Sequence, residues 1–239
     1  MMRSWLLSLV ALGTLAPGCS AVRRDSLKAI DRELQQQPRW ERARAHGGFR
    51  LGPYTIVKRK LREHAVDQTP PMTIDAPRNP AWRYELELGL TREGSAPWIA
   101  HCDGRRRANI DADFAAISEI ANDDVSIECE LSRGEQRWHF SAAGRLDANF
   151  GGELVRADES GGRVAAKVEV ILWMKRVKLI SRHIAEPVAQ VRRGEHAIAA
   201  MVLSRPEWAW VRAAEPEELR DAAMVTLVAI RMLPLGLDE

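Results

Sequence analysis

The sequence predicts a mainly β domain, an antiparallel barrel or sandwich with a buried hydrophobic helix at its C-terminal end. Three observations carry this. Apolar residues alternate with polar ones along many short runs from Gly48 onward, turn residues separate the runs, and one uniformly apolar stretch lies near the end of the chain. Period-two alternation puts every second side chain on one face of a strand, the mark of a half-buried sheet.

The opening, MMRSWLLSLVALGTLAPGCSAV, carries one charge, Arg3. Trp5 to Ala16 form an apolar run of about twelve residues, whereas a bilayer span needs roughly 20. A basic start, a short apolar run and small residues behind it describe a secretory signal. Ala16-Pro17-Gly18-Cys19 resembles the lipobox of bacterial lipoproteins, in which cleavage leaves a cysteine whose thiol carries diacylglycerol. Gly18 and Cys19 fit that pattern; Pro17 departs from it, and the preferred leucine, Leu15, sits one place too far upstream. The resemblance implies a signal peptide over residues 1–18 and lipidation at Cys19. Because Ser20 rather than Asp follows the cysteine, it also implies an outer-membrane lipoprotein facing the periplasm. The alternative is an ordinary signal cut after Cys19-Ser20-Ala21, giving a secreted soluble protein.

Residues 19–47 read as a lipid-anchored tether with a short helix. Ser26 is placed to cap it, Leu27, Ile30 and Leu34 recur at helical spacing, and Pro38 stops it. Trp40 is a candidate for docking this tether on the body.

Residues 48–239 read as a single β-rich domain. Phe49 to Val57 is a first strand with a turn inside it. Trp82, Tyr84, Leu86, Leu88 and Leu90 alternate with charged residues in the next, and Trp98–Cys102, Val125–Leu131 and Trp138–Phe140 follow. Val164, Ala166, Val168, Val170, Leu172 and Met174 form the longest alternation, and His196–Leu203 and Trp208–Val211 are two further candidates. Pro70, Pro71, Pro77 and Pro80 make the stretch between 70 and 80 a loop. GSAPWIAHCDGR (94–105) and GEQRWHFSAAGR (134–145) echo one another, as two hairpins of a duplicated unit would, or as hairpin chemistry recurring by necessity.

Two cysteines lie beyond Cys19. Cys102 shares strand parity with Trp98 and Ala100, and Cys129 with Val125, Ile127 and Leu131, so both sulfurs are expected on the apolar face. In an exported chain they are expected to join in a disulfide, worth about 3–4 kcal/mol on the chain-entropy model. The rival is a metal site using His101 and Asp103, which lacks a second CxxC or HxxxH element.

EPEELRDAAMVTLVAIRMLPLG begins with Pro216 and acids, as a helix N-terminus favours, and runs from Ala222 to Ile230 without a charge. A helix over about 217–233 that is apolar all round must be buried on all sides. A strand is the alternative, since Val225, Thr226, Val228 and Ile230 are β-branched. A β body ending in such a helix resembles the tubby-like barrels, including the scramblase and LURP-one-related families. That resemblance implies a closed barrel around Asp221–Leu233, with the strands near His196–Leu203 and Trp208–Val211 before it.

Without residues 1–18 the chain holds 34 Lys and Arg against 33 acids, which gives no reason to expect nucleic acid as a partner. G-x-S-x-G, H-E-x-x-H, P-loop and G-x-G-x-x-G patterns are absent from the sequence, so no cofactor or catalytic metal is expected. His101, beside Cys102 and Asp103, is the best catalytic candidate; His139 lies opposite the apolar parity of its strand and reads as a solvated residue. Asp111, Asp113, Asp123 and Asp124 do not match a calcium loop. Arg105, Arg106 and Arg107 form a basic cluster, either a solvated turn or a contact for anionic headgroups, lipopolysaccharide or glycan. Trp208 and Trp210 read as core or barrel-mouth residues. Two function classes follow: a non-enzymatic envelope lipoprotein binding a protein, lipid or glycan partner, and an envelope hydrolase or transferase with a site assembled from loops.

Overall fold

The computed structural model describes residues 26–66, 81–107, 123–145, 150–157, 163–177 and 182–235. Twelve strands follow one another as antiparallel neighbours: β1 (Trp40–Ala45), β2 (Gly48–Leu51), β3 (Tyr54–Val66), β4 (Ala81–Arg92), β5 (Trp98–Arg107), β6 (Asp124–Arg133), β7 (Gln136–Arg145), β8 (Gly151–Ala157), β9 (Arg163–Val177), β10 (Arg182–Arg193), β11 (His196–Val202) and β12 (Trp208–Val211). The last pairs with the first, Trp40 opposite Ala209 and Glu41 opposite Trp208, which closes a barrel and removes the sheet edges. The signal segment, Cys19 and the 70–80 loop lie outside the described residues.

β1, β8 and β10 are not legible as strands from their local sequence. β1 falls within residues 19–47, so part of the expected tether is barrel wall; WERARA has no apolar period and takes its extended form from β12 and β2. β8 opens with two glycines, and β10 contains Pro187, which reads locally as a strand breaker. The expected strand over 49–57 divides at Gly52-Pro53 into β2 and β3. Gly52 has φ +59°, and a Cβ there would lie 2.3 Å from the Trp40 ring, so glycine serves both the turn and the Trp40 contact.

Inward parity is apolar. Along β4, Tyr84, Leu86, Leu88 and Leu90 are buried while Arg83, Glu85 and Glu87 face outward; β5 and β6 repeat this around Ala100, Ile127 and Leu131. A transmembrane barrel has the reverse parity, apolar outside and polar within.

A helix occupies the interior. It runs Glu217–Met232 from Pro216 as N-cap, and every residue from Asp221 to Ile230 is buried. It packs on β4, β5, β6, β10 and β11 from within. The strand alternative therefore gives way: with barrel wall on every side, the modest helix propensities of valine, isoleucine and threonine are overridden by burial. The lone polar side chain among residues 222–230, Thr226, donates to the Ala222 carbonyl at 2.9 Å. The wall comes close to the helix end, where a Cβ on Gly104 would meet Leu233 at 3.3 Å.

Buried ion pairs clamp the helix at both ends. Asp221 accepts from the Tyr54 hydroxyl at 2.8 Å and from Arg133 Nη1 at 2.6 Å, with Arg92 at 3.6 Å. Burial, then the Asp221 carboxylate, hold the Tyr54 phenol protonated far above its ordinary range. At the other end Glu207 receives Arg42 at 2.6 Å and Arg231 of the helix at 3.1 Å. The echoed tryptophans have a shared task at the first clamp. Trp98 lies 4.8 Å from the Arg133 guanidinium, and Trp138 donates to Glu218 at 2.8 Å.

A second core lies outside the barrel. Ile30, Leu34, Val188, Ala197, Ala200, Val202 and Trp210 pack together, with Leu27 and Trp208 at its margin. Residues 26–35, including a one-turn helix (Arg32–Gln35), lie across β10–β12 as a strap. Asp31 caps that helix, accepts from the Ala197 amide at 3.2 Å and sits 3.6 Å from Arg212.

Candidate functional site

Because the helix fills the barrel, the two cavities described here open on the outer wall of β3–β7 and its rim. Antiparallel register sets their composition. One lateral row across these strands runs Lys60, Glu87, His101, Glu130 and His139; the next runs Arg62, Glu85, Asp103, Glu128 and Ser141. Outward parity brings both rows to the surface, where all of these residues but Arg62 and Ser141 line a cavity of about 400 Å³.

In that cavity Glu85, Asp103 and Glu128 stand opposite one another on adjacent strands, an arrangement of like charges that costs stability unless answered. Arg83 answers it with two hydrogen bonds to Asp103 Oδ1, at 2.9 and 2.7 Å, and Asp103 in turn holds the Arg83 guanidinium above its ordinary range. Chemically the cavity offers two imidazoles among carboxylates, groups suited to proton exchange. Among the described residues no group of three His, Cys, Asp or Glu side chains is arranged to hold a metal ion.

A second cavity, of about 560 Å³, lies toward the rim formed by the end of β3 and the start of β4, with Val66 and Trp82 on its lining beside Arg83, Arg105 and Arg107. The three successive arginines are divided here by strand parity. Arg106 turns inward, where it meets Asp123 at 2.5 Å and lies 5.4 Å from the Trp82 ring. Arg105 and Arg107 remain exposed and form no ion pair among the described residues. All three arginines line this cavity, Arg106 as the partner of Asp123 and Arg105 and Arg107 as outward cations, with Arg83 joining them from the next strand.

Cys102 and Cys129 are directly opposite in the β5–β6 register and are joined, with an S–S distance of 2.08 Å. His101 and Asp103 share the first cavity with His139. Asp111 and Asp113 lie outside the described residues; Asp123 is buried against Arg106, and Asp124 is exposed. Trp208 and Trp210 point away from the barrel interior, into the core beneath the strap, 6.4 Å apart and edge to face.

One feature of the wall escaped the sequence reading. From Arg39 to Arg62 there are eight Lys or Arg and one acid, Glu41. This charge run was legible by counting, but near-neutral overall composition conceals it. A register shift between Lys58 and Lys60 adds Arg59 to the outer face of β3, where it covers Gly89 and reaches Glu87 at 3.5 Å.

No family model matches this chain, and neither the curated proteins nor the solved structures give a match.

Proposed function

We propose that this protein is a non-enzymatic lipoprotein of the cell envelope: a β-barrel domain tethered through lipidated Cys19 to the outer membrane, facing the periplasm, and binding an envelope partner on its outer wall. The observation that carries the reading is the helix-filled interior. A barrel whose lumen holds its own clamped helix has its outer wall and rim left for recognition, and the described cavities lie there. The bonded Cys102–Cys129 pair supports an oxidising compartment. Twelve antiparallel strands around a C-terminal helix support the tubby-like resemblance as a matter of architecture.

Labelling cells with a palmitate analogue tests the anchor. The native chain is expected to incorporate label and partition with membranes, and Cys19→Ala to do neither. An unlabelled chain in the soluble cytosolic fraction, with both later thiols open to alkylation, would overturn the reading.

A second reading, an envelope hydrolase or transferase, is favoured by the gathering of His101 and His139 with five carboxylates in one cavity. Alanine at both histidines abolishes function on that reading and leaves it intact on the first.

A further inference from the structure

We propose that the outer face of β1–β3 and the rim at the β1–β2 turn form a second, electrostatic membrane contact, which lays the barrel against an anionic bilayer beside its lipid anchor. The inference rests on the lipoprotein reading for the anchor, and on the structure for the face.

The first observation is charge. Arg50, Arg59, Lys60 and Arg62 are exposed on the outer face of these strands, and Arg44, whose register with buried Phe49 gives it inward parity, is exposed at the rim beside the β1–β2 turn. Arg59 and Arg62 lean toward Glu87 and Glu85 of β4, at 3.5 and 4.0 Å, while Arg44, Arg50 and Lys60 form no ion pair among the described residues. The second observation is position. Around the barrel the strap lies on β10–β12, and β1 and β2 come next, bonded through β1–β12. Ser26, the first described residue and wholly buried, is seven residues from Cys19 in sequence. Seven residues reach at most about 25 Å when fully extended. An acylated Cys19 thus holds the start of the strap within about 25 Å of the headgroups, with the basic strands next to the strap around the barrel.

The third observation gives the contact one orientation. Beyond β3 the balance of charge shifts: Glu85, Glu87, Asp103, Asp124, Glu128, Glu130 and Glu153 face outward from β4 to β8, interspersed with Arg83, Arg105, Arg107, Arg137 and Arg145. An anionic surface therefore favours the β1–β3 side, where basic residues outnumber acids, over the mixed wall beyond it. A single acyl signal binds membranes weakly, and a basic patch is a standard second signal. Each basic residue near an anionic surface contributes about 1 kcal/mol, so three are worth roughly a hundredfold in affinity.

The test uses the full chain with Cys19→Ser, to remove the anchor's own affinity, and co-sedimentation with vesicles. The variant is expected to bind vesicles containing 30 mol% (about one-third) phosphatidylglycerol, to release in 500 mM (roughly half-molar) salt, and to ignore neutral phosphatidylcholine vesicles. Adding Arg44→Gln, Arg50→Gln and Lys60→Gln is expected to weaken binding by about a hundredfold with an unchanged melting temperature. Glu128→Gln with Glu130→Gln on the opposite wall is expected not to weaken it. Equal binding to neutral vesicles, or full binding by the triple variant, overturns the proposal. The anchor is scored separately by acyl labelling: a labelled native chain whose triple variant binds undiminished keeps the lipoprotein and loses this contact. An unlabelled chain with salt-sensitive vesicle binding does the reverse.

Discussion

Two stretches of the outer wall show how one barrel makes two surfaces. Over β10–β12 the outward positions are Val188, Ala197, Ala200, Val202 and Trp210, all buried beneath Ile30 and Leu34 of the strap. Over β4–β6 the outward positions include Arg83, Glu85, Glu87, His101, Asp103, Arg105, Glu128 and Glu130, which meet solvent. The backbone geometry is the same. The difference lies in whether a second layer covers the sheet, and the local sequence records it: AIAAMV (197–202) is apolar throughout, whereas VSIECEL alternates.

The largest effect should come from breaking the covered wall. Leu34 is fully enclosed between strap and barrel, so Leu34→Ala is expected to cost about 2–5 kcal/mol, lowering the melting temperature by about 5–15 °C. Binding of an environment-sensitive dye should rise as the apolar wall opens, and an unchanged melt would mean that the strap is dispensable.

Next in size is the clasp within the bare wall. Replacing Cys102 and Cys129 by serine together is expected to cost about 3 kcal/mol through the closed loop, seen as a lower denaturant midpoint. Single replacements leave one buried thiol and should be no more stable than the double.

Asp31 sharpens the comparison through pH. Burial pushes its carboxyl upward, but the Ala197, Leu34 and Glu33 amides and Arg212 together hold it below its ordinary value. A carboxyl depressed on folding contributes stability that is present above its unfolded pKa and is lost as pH falls through the folded value. Strap protection in hydrogen exchange should therefore hold above about pH 4 and decline in more acid solution. Asp31→Asn should flatten that acid limb and cost about 1 kcal/mol at neutral pH.

The smallest effect belongs to the bare wall's surface. Glu128→Gln relieves a like-charge neighbour opposite Asp103 and should change stability by less than about 0.5 kcal/mol, toward greater stability. A loss above about 1 kcal/mol by chemical denaturation would show that Glu128 has a binding or structural partner.

Much of this architecture was legible from residue pattern. Tyr84 to Leu90 alternates because one face meets the helix and the other meets water, so β4 needed no tertiary knowledge. The same holds for the paired parity of Cys102 and Cys129. β1, β8 and β10 were illegible for a physical reason: Arg42 and Arg44, Gly151 and Gly152, and Pro187 each oppose an isolated strand, and neighbouring strands impose it. The candidate site was less legible still. His101 and Asp103 could be named, but their meeting with His139, Glu85 and Glu128 depends on the register of four strands.

By itself the sequence determined the strand alternation, the uniformly apolar helix, the disulfide partners and the basic run from Arg39 to Arg62, because periodicity and charge are local properties. Only the tertiary structure decided that the sheet closes, that the helix is clamped within it, and which outer wall is covered. Those outcomes depend on pairings between residues as far apart as Trp40 and Ala209, and no local window contains both.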